Sequence, residues 1–167
     1  MIAEATVAQV AIRPVPFTAI FDAPNAAELF RAYAAACIVP DAEPQRSLYE
    51  AMDRAGVLHC FGAYADPNGA SLLVGFAAVI CGIMPHDGHF VATISEMFVD
   101  PPYRSTGAAD LLLCAIEQLA SDRGCRCLIS LARFGSAYDM MLGRRTGYER
   151  THAQHTKWLN GYEGGWK

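Results

Sequence analysis

The residues best suited to chemistry in this chain are the stretch V-D-P-P-Y-R-S-T-G-A-A, residues 99–109, and the glutamate just before it, Glu96. Pro101 and Pro102 cannot donate ladder hydrogen bonds, so they end an apolar, strand-like run. Arg104, Ser105, Thr106 and Gly107 then lead into a helix, whose first turn has no internal partners for its N–H groups. Such a turn can hold a phosphate or pyrophosphate through its amides and the positive helix end. A plain strand-to-helix turn has the same look, and the residues alone leave both possibilities open. Glu96 is an acidic residue in an otherwise apolar strand. Alternation puts Ile94, Glu96 and Phe98 on one face, with Ser95 and Met97 on the other. A carboxylate there must be solvated, paired or shifted in pKa.

R-S-T-G-A-A, Arg104 to Ala109, fits the pattern R-x-x-G-x-G/A, and Val99, Pro101, Tyr103 and Arg104 fit the lead-in V-x-P-x-Y-R. In these residues the chain resembles the GNAT superfamily of acyl-CoA-dependent N-acyltransferases. The resemblance implies an α/β (in some schemes α+β) fold, with a mixed central sheet and helices on both faces. It also implies acetyl-CoA as co-substrate, with its pyrophosphate held by the amides of Ser105, Thr106, Gly107, Ala108 and Ala109, and with charge added by Arg104. A side chain at position 107 would block the close approach of the phosphates. The main chain of Met97, Phe98 and Val99 would pair with the pantetheine arm where that strand parts from its parallel neighbour, residues 125–132.

By the same resemblance Glu96 is the candidate general base for a primary amine that attacks the thioester directly. A structural or solvent-facing glutamate, or water-mediated proton transfer, is the alternative. Relatives carry a general-acid tyrosine four residues before a G-F or G-Y step. Here that step is Gly147-Tyr148 and the position holds Gly143. Tyr138 is the weak candidate acid, with packing as its plainer role; water or Ser136 would serve instead. The missing tyrosine keeps a second function in view, a non-catalytic acyl-CoA-binding sensor or assembly module. A structural α/β domain with an unused anion-binding turn is the more distant third.

These residues need elements to position them. Strands are expected over residues 6–13, 57–65, 71–84, 89–99 and 125–132, with Pro14 and Pro16 in a loop. Helices are expected over residues 26–38, from 44 or 45 to 54, over 108–123 and over 136–142. Turns are expected at Asp66-Pro67-Asn68-Gly69 and at residues 85–88. A last strand region would run from Gly147-Tyr148 toward Trp158, and residues 160–167 would form a frayed tail. The three middle strands read as an antiparallel meander. The whole, residues 1–167, is expected to be one GNAT-like domain.

At 167 residues and 18% charged side chains, the chain has enough apolar sequence for a real core. A formal net charge of −4 speaks against broad attraction to nucleic acid or an anionic membrane. The apolar run of residues 72–84 is too short for a membrane-crossing helix. Cys37, Cys60, Cys81, Cys114, Cys125 and Cys127 lack zinc-site spacing. They read as buried free thiols of a cytoplasmic protein without a metal. Cys127 is expected to be core rather than nucleophile. Arg144 and Arg145 are expected either to face the cofactor's phosphates or to solvate a helix end. His152 and His155 are expected on opposite faces of the last strand region, and Trp158 and Tyr162 in packing. The acceptor would be a small-molecule amine or a peptide amine, and a homodimer is a family expectation.

Overall fold

The computed structural model describes residues 9–36, 44–66, 71–84, 88–132 and 135–151. Strand β1 (Val10–Val15) is followed by helices α1 (Phe17–Phe21), α2 (Ala26–Ala36) and α3 (Arg46–Arg54). Strands β2 (Leu58–Ala65), β3 (Leu72–Met84) and β4 (His89–Val99) come next, then a 3₁₀ turn (Pro101–Thr106) and helix α4 (Ala108–Asp122). Strand β5 (Cys127–Ser130) and helix α5 (Ala137–Leu142) complete the described elements. The strands form one sheet in the order β1-β2-β3-β4-β5. Pairing is antiparallel from β1 to β4 and parallel between β4 and β5.

The mixed sheet is covered on both faces, as the sequence implied. One face packs α4 through Leu112, Leu113, Ile116 and Ala120, and α5 through Leu142. The other face packs Phe17 and Ile20 of α1 and Leu29 of α2 against Leu73, Phe76 and Phe98. This explains the near-continuous apolar sequence of β3, in which every residue from Leu73 to Val79 is buried. Helix α4 presents its apolar stripe to the sheet. It ends where Gly124 takes a left-handed φ of 66° one residue beyond the cap, Arg123.

Several expectations change. Pro14 lies within β1, opposite Phe61, rather than in a loop. Among the described residues β1 is the sheet edge, the place in a sheet where proline is tolerated. Pro16 caps the short helix α1, which the sequence reading passed over. The strand placed at residues 6–13 runs over Val10–Val15, with residues 6–8 outside the described part. Residues 148–151 form no strand, because Gly147 at φ 89° closes a turn after α5. The remainder of that expected strand, with His152, His155, Trp158 and Tyr162, lies outside the described residues, as do residues 160–167.

The thiols also differ from expectation. Cys60 and Cys81 are buried and Cys125 is intermediate, whereas Cys114 and Cys127 are exposed. Cys127 is exposed because β5 pairs on one side only, with β4, among the described residues. Burial pushes the thiols of Cys60 and Cys81 up to about 12 and about 11, so both are inert as nucleophiles. No group of potential metal-ligating side chains occurs among the described residues. No described helix is long and apolar enough to cross a membrane.

Candidate active site

The centre of the site is the fork between β4 and β5. Their parallel ladder runs through Val91↔Cys127, Ala92↔Leu128 and Thr93↔Ile129 and ends at Ile94↔Ser130. Beyond that rung, Glu96, Met97, Phe98 and Val99 keep partners on β3 (Ala78, Ala77, Phe76 and Gly75) and have none on β5. Among the described residues, one side of the β4 main chain is therefore open along the segment expected to meet an extended ligand. Gly75 makes this geometry possible. A Cβ there would sit 2.7 Å from the Phe98 carbonyl oxygen and 3.2 Å from Val99 Cα.

At the fork the strand carries a bulge. Ala78 pairs with Glu96 while the next β3 residue, Val79, pairs with Ile94, which leaves Ser95 without a register partner. An extra residue reverses the alternation beyond it. Ile94 consequently packs in the α4-side core together with Met97 and Val99, whereas Phe98 packs in the core on the α1–α3 side. The expected common face for Ile94, Glu96 and Phe98 is thus corrected: Ile94 lies opposite the other two. The bulge delivers Glu96 to the face covered by the first three helices.

There the Glu96 carboxyl is buried. Its Oε1 accepts a hydrogen bond from the Tyr49 hydroxyl of α3, and its Oε2 has no hydrogen-bond partner. Burial raises its pKa above the usual carboxylate range, and the bond from Tyr49, which favours the charged form, offsets part of that rise. Glu96 has no ion-pair partner among the described residues, and its Oε2 is out of contact with solvent. Tyr49 was not singled out from the sequence, because nothing local links residues 47 positions apart.

On the far side of the fork, Tyr138 of α5 shares a 2.7 Å hydrogen bond with Ser130 Oγ. Ser130 is the last β5 residue paired with β4, so the phenol reaches the point where the strands part. Desolvation raises the Tyr138 pKa, with the bond to Ser130 opposing it, and the phenol stays protonated. Ser136 is the N-cap of α5, its Oγ accepting from the Asp139 amide at 3.1 Å. Gly143 is the C-cap of α5 in an ordinary right-handed conformation.

The 3₁₀ turn passes into α4 through Gly107, which adopts φ 80° and ψ 5°. A Cβ built at Gly107 meets nothing within 4 Å, so glycine answers the backbone angle and not a neighbour of this chain. Thr106 Oγ1 donates to the Tyr103 carbonyl at 2.7 Å and braces the turn. Ala108 is fully buried, and the first turn of a 15-residue helix follows it. Arg104 folds back, its Nε donating to the Val99 carbonyl at 3.1 Å and its guanidinium carbon 5.8 Å from the Phe98 ring. The Val99 oxygen is thereby engaged within the chain. Ser105 and Arg104 are exposed.

Arg145 is held by Glu117 through two bonds of 2.9 Å and by Asp110 at 3.1 Å. Tyr148 adds a bond to the same Glu117 at 3.1 Å. Arg145 therefore ties the end of α5 to α4, a role distinct from both expectations for it. Glu117, beside that guanidinium, is held below the ordinary carboxylate range.

The overall fold is also found among solved structures. An aminoglycoside acetyltransferase from an uncultured soil metagenomic sample, in complex with trehalose, is similar over 90% of this chain and 97% of its own, at 16% identity and TM-score 0.71. The ribosomal-protein-alanine N-acetyltransferase of Brucella melitensis biovar Abortus 2308 is similar over 91% and 100%, at 20% identity and TM-score 0.67. Aminoglycoside N-acetyltransferase AAC(6')-Iy in complex with CoA is similar over 90% and 99%, at 21% identity and TM-score 0.65. At such identities these likenesses speak for the fold. No curated protein matches by sequence. The family follows from the sequence itself: residues 26–137, which include β4, the glycine turn and α4, match the model of the Acetyltransferase (GNAT) family, and the chain belongs to that family.

Proposed function

We propose that the protein is an N-acetyltransferase that moves an acetyl group from acetyl-CoA to a primary amine by direct attack. The observation that carries this is the convergence of three features at one fork: an open β4 edge, a buried glutamate on one side and a protonated tyrosine on the other. The described residues fit acetyl-CoA. The positive-φ turn at Gly107 leaves room at its Cβ position, and the unpaired first-turn amides of α4 suit a pyrophosphate. Ser105, Thr106, Gly107, Ala108 and Ala109 would hold that group, with Arg104 adding charge nearby. The main chain of Met97, Phe98 and Val99 would hold the pantetheine arm, with the Val99 oxygen already taken by Arg104.

Bound acetyl-CoA supplies an activated acetyl carbon and a thiol leaving group. Glu96 accepts the proton that the amine gives up as the N–C bond forms, directly or through one water. Its elevated pKa brings its basicity closer to neutrality, where a general base works best. Tyr138 keeps its proton at the hydroxyl, backed by Ser130, and offers it to the departing sulfur. No covalent enzyme intermediate is needed. Tyr138 at the fork thus supports turnover, although Gly143 stands where relatives carry the acid and keeps the sensor reading in view.

The acceptor is an amine carried by a small molecule or a peptide. The test is thiol release from acetyl-CoA against a panel containing sisomicin, an alanine-terminated peptide and n-butylamine. Release with at least one member is expected, and Glu96→Gln should lower kcat/KM by about 10²-fold or more. Saturable acetyl-CoA binding with no release from any amine would favour the sensor reading instead.

A further inference from the structure

We infer that Tyr49 is a positioning residue for Glu96: its hydroxyl fixes Oε1 and leaves Oε2 as the oxygen that meets the acceptor's proton. This rests on Glu96 acting as the base. Helix α3 has no buried residue of its own and leans on the sheet through Tyr49 and Met52. Its position is reinforced by Arg46, which donates to Asp22 at 2.6 Å and to Glu50 at 2.9 Å. The Tyr49 ring is stacked on Phe17 with centroids 3.9 Å apart and an interplanar angle of 8°. Phe17 is fully buried and meets Phe76, also fully buried, edge-on at 6.1 Å. A ring held flat against an immobile core ring presents its hydroxyl at one place.

The two oxygens of Glu96 are treated unequally. Oε1 has the phenol, while Oε2 is buried without a partner. Leaving a buried acceptor unsatisfied is costly, and native structures retain such groups where a role or a missing partner explains them. The N–H of an arriving amine, or its bridging water, is a donor of the kind Oε2 lacks.

Among the described residues Tyr49 is the controlling contact of Glu96. From β2 comes Cys60, whose thiol stays protonated to about 12, with Asp53 of α3 and Glu96 itself adding to its burial. On the same face of the sheet Tyr33 of α2 packs edge-on against Phe98 at 5.6 Å. β3 offers Ala78 opposite Glu96. None of these supplies a cation to favour the carboxylate, whereas the Tyr49 hydrogen bond does favour it.

The test compares wild type with Tyr49→Phe, which keeps the stacked ring and removes only the hydroxyl. Protein labelled with ¹³C at glutamate carboxyls is titrated by NMR, the Glu96 signal being assigned by its loss in Glu96→Gln. Glu96 should titrate at higher pH in Tyr49→Phe than in wild type. In thiol-release assays the wild-type to variant ratio of kcat/KM should grow as pH falls and level to within about threefold at high pH. Taking the ratio cancels the acceptor's own titration. Coincident Glu96 titrations would overturn the inference. Should Tyr49→Phe not fold, wild type carrying 3-fluorotyrosine serves: its Tyr49 ¹⁹F resonance should follow the Glu96 titration, and a flat resonance overturns the inference equally. Neither spectroscopic arm needs turnover. Failure of acetyl transfer would show separately, as Glu96→Gln that matches wild type across the amine panel.

Discussion

The Tyr138 hydroxyl and Ser130 Oγ lie 2.7 Å apart at the last rung that joins β4 to β5. The pair thus sits where the sheet opens, one side of the fork from Glu96 and its partner Tyr49. A helix of six residues, started by Ser136 as N-cap, is enough to bring the phenol there.

Replacing Tyr138 by Phe should lower kcat by about tenfold and leave acetyl-CoA affinity unchanged. That is below the usual span for a general acid, because a thiolate departs without full protonation. The raised pKa of Tyr138 also means that no falling limb should appear near the ordinary tyrosine pKa. Steady-state kinetics over the alkaline range checks both. An unchanged kcat would return Tyr138 to packing alone.

Glu96 links the site to stability. Its folded pKa is raised above the unfolded value, so the native state holds the proton more tightly. Its favourable contribution is therefore complete below the unfolded pKa and is lost as pH rises through the folded one. Glu96→Gln cannot ionise and escapes that loss. Thermal melts should show the variant gaining on wild type over the range that starts at the ordinary glutamate pKa and runs upward through the raised one. A Tm difference that stays constant over that range would contradict the burial of a titrating carboxyl.

Gly75 holds β3 close to the open part of β4. A Cβ would press against backbone, 2.7 Å from the Phe98 oxygen, and backbone cannot swing aside as a side chain tip can. Gly75→Ala should cost about 1–3 kcal/mol in urea unfolding. It should also weaken acetyl-CoA binding, because Phe98 and Val99 must move. Wild-type stability with wild-type affinity would show that the strands separate more freely than the register implies.

Much of this architecture is written locally. Gly88 and Pro101 bracket β4, and the sequence reading gives its limits, His89–Val99, as observed. Gly107 and Gly124 bracket α4 in the same way. What escaped depends on register or on distant contacts. The bulge at Ser95 is a matter of pairing with β3, and simple alternation carried past it assigns Ile94 to the wrong face. Helix α1 is a single turn after Pro16, too short to show periodicity. Pro14 argued against a strand, and only its place at the edge of the described sheet makes it tolerable. Cys127 looked like core from its apolar neighbours, although burial there needs a strand on both sides of β5. Tyr49 lies on an exposed, polar helix, and its value comes wholly from meeting Glu96 across the fold. The glycine turn, Glu96 and Tyr138 could be named from the sequence; the partners that hold the last two, Tyr49 and Ser130, could not.

The proposed reaction requires the turn at Gly107 to hold acetyl-CoA. Calorimetric titration of acetyl-CoA into wild type and Gly107→Trp tests this directly, with circular dichroism to confirm that the variant is folded. The positive φ should cost the variant about 1–2 kcal/mol of stability, and a Cβ at this position meets no neighbouring atom within 4 Å. Wild type should bind saturably, and Gly107→Trp should bind at least about tenfold more weakly, a loss of about 1.4 kcal/mol. Absence of wild-type binding at about millimolar acetyl-CoA, the weak end of specific recognition, or equal affinity in a folded variant, would contradict it.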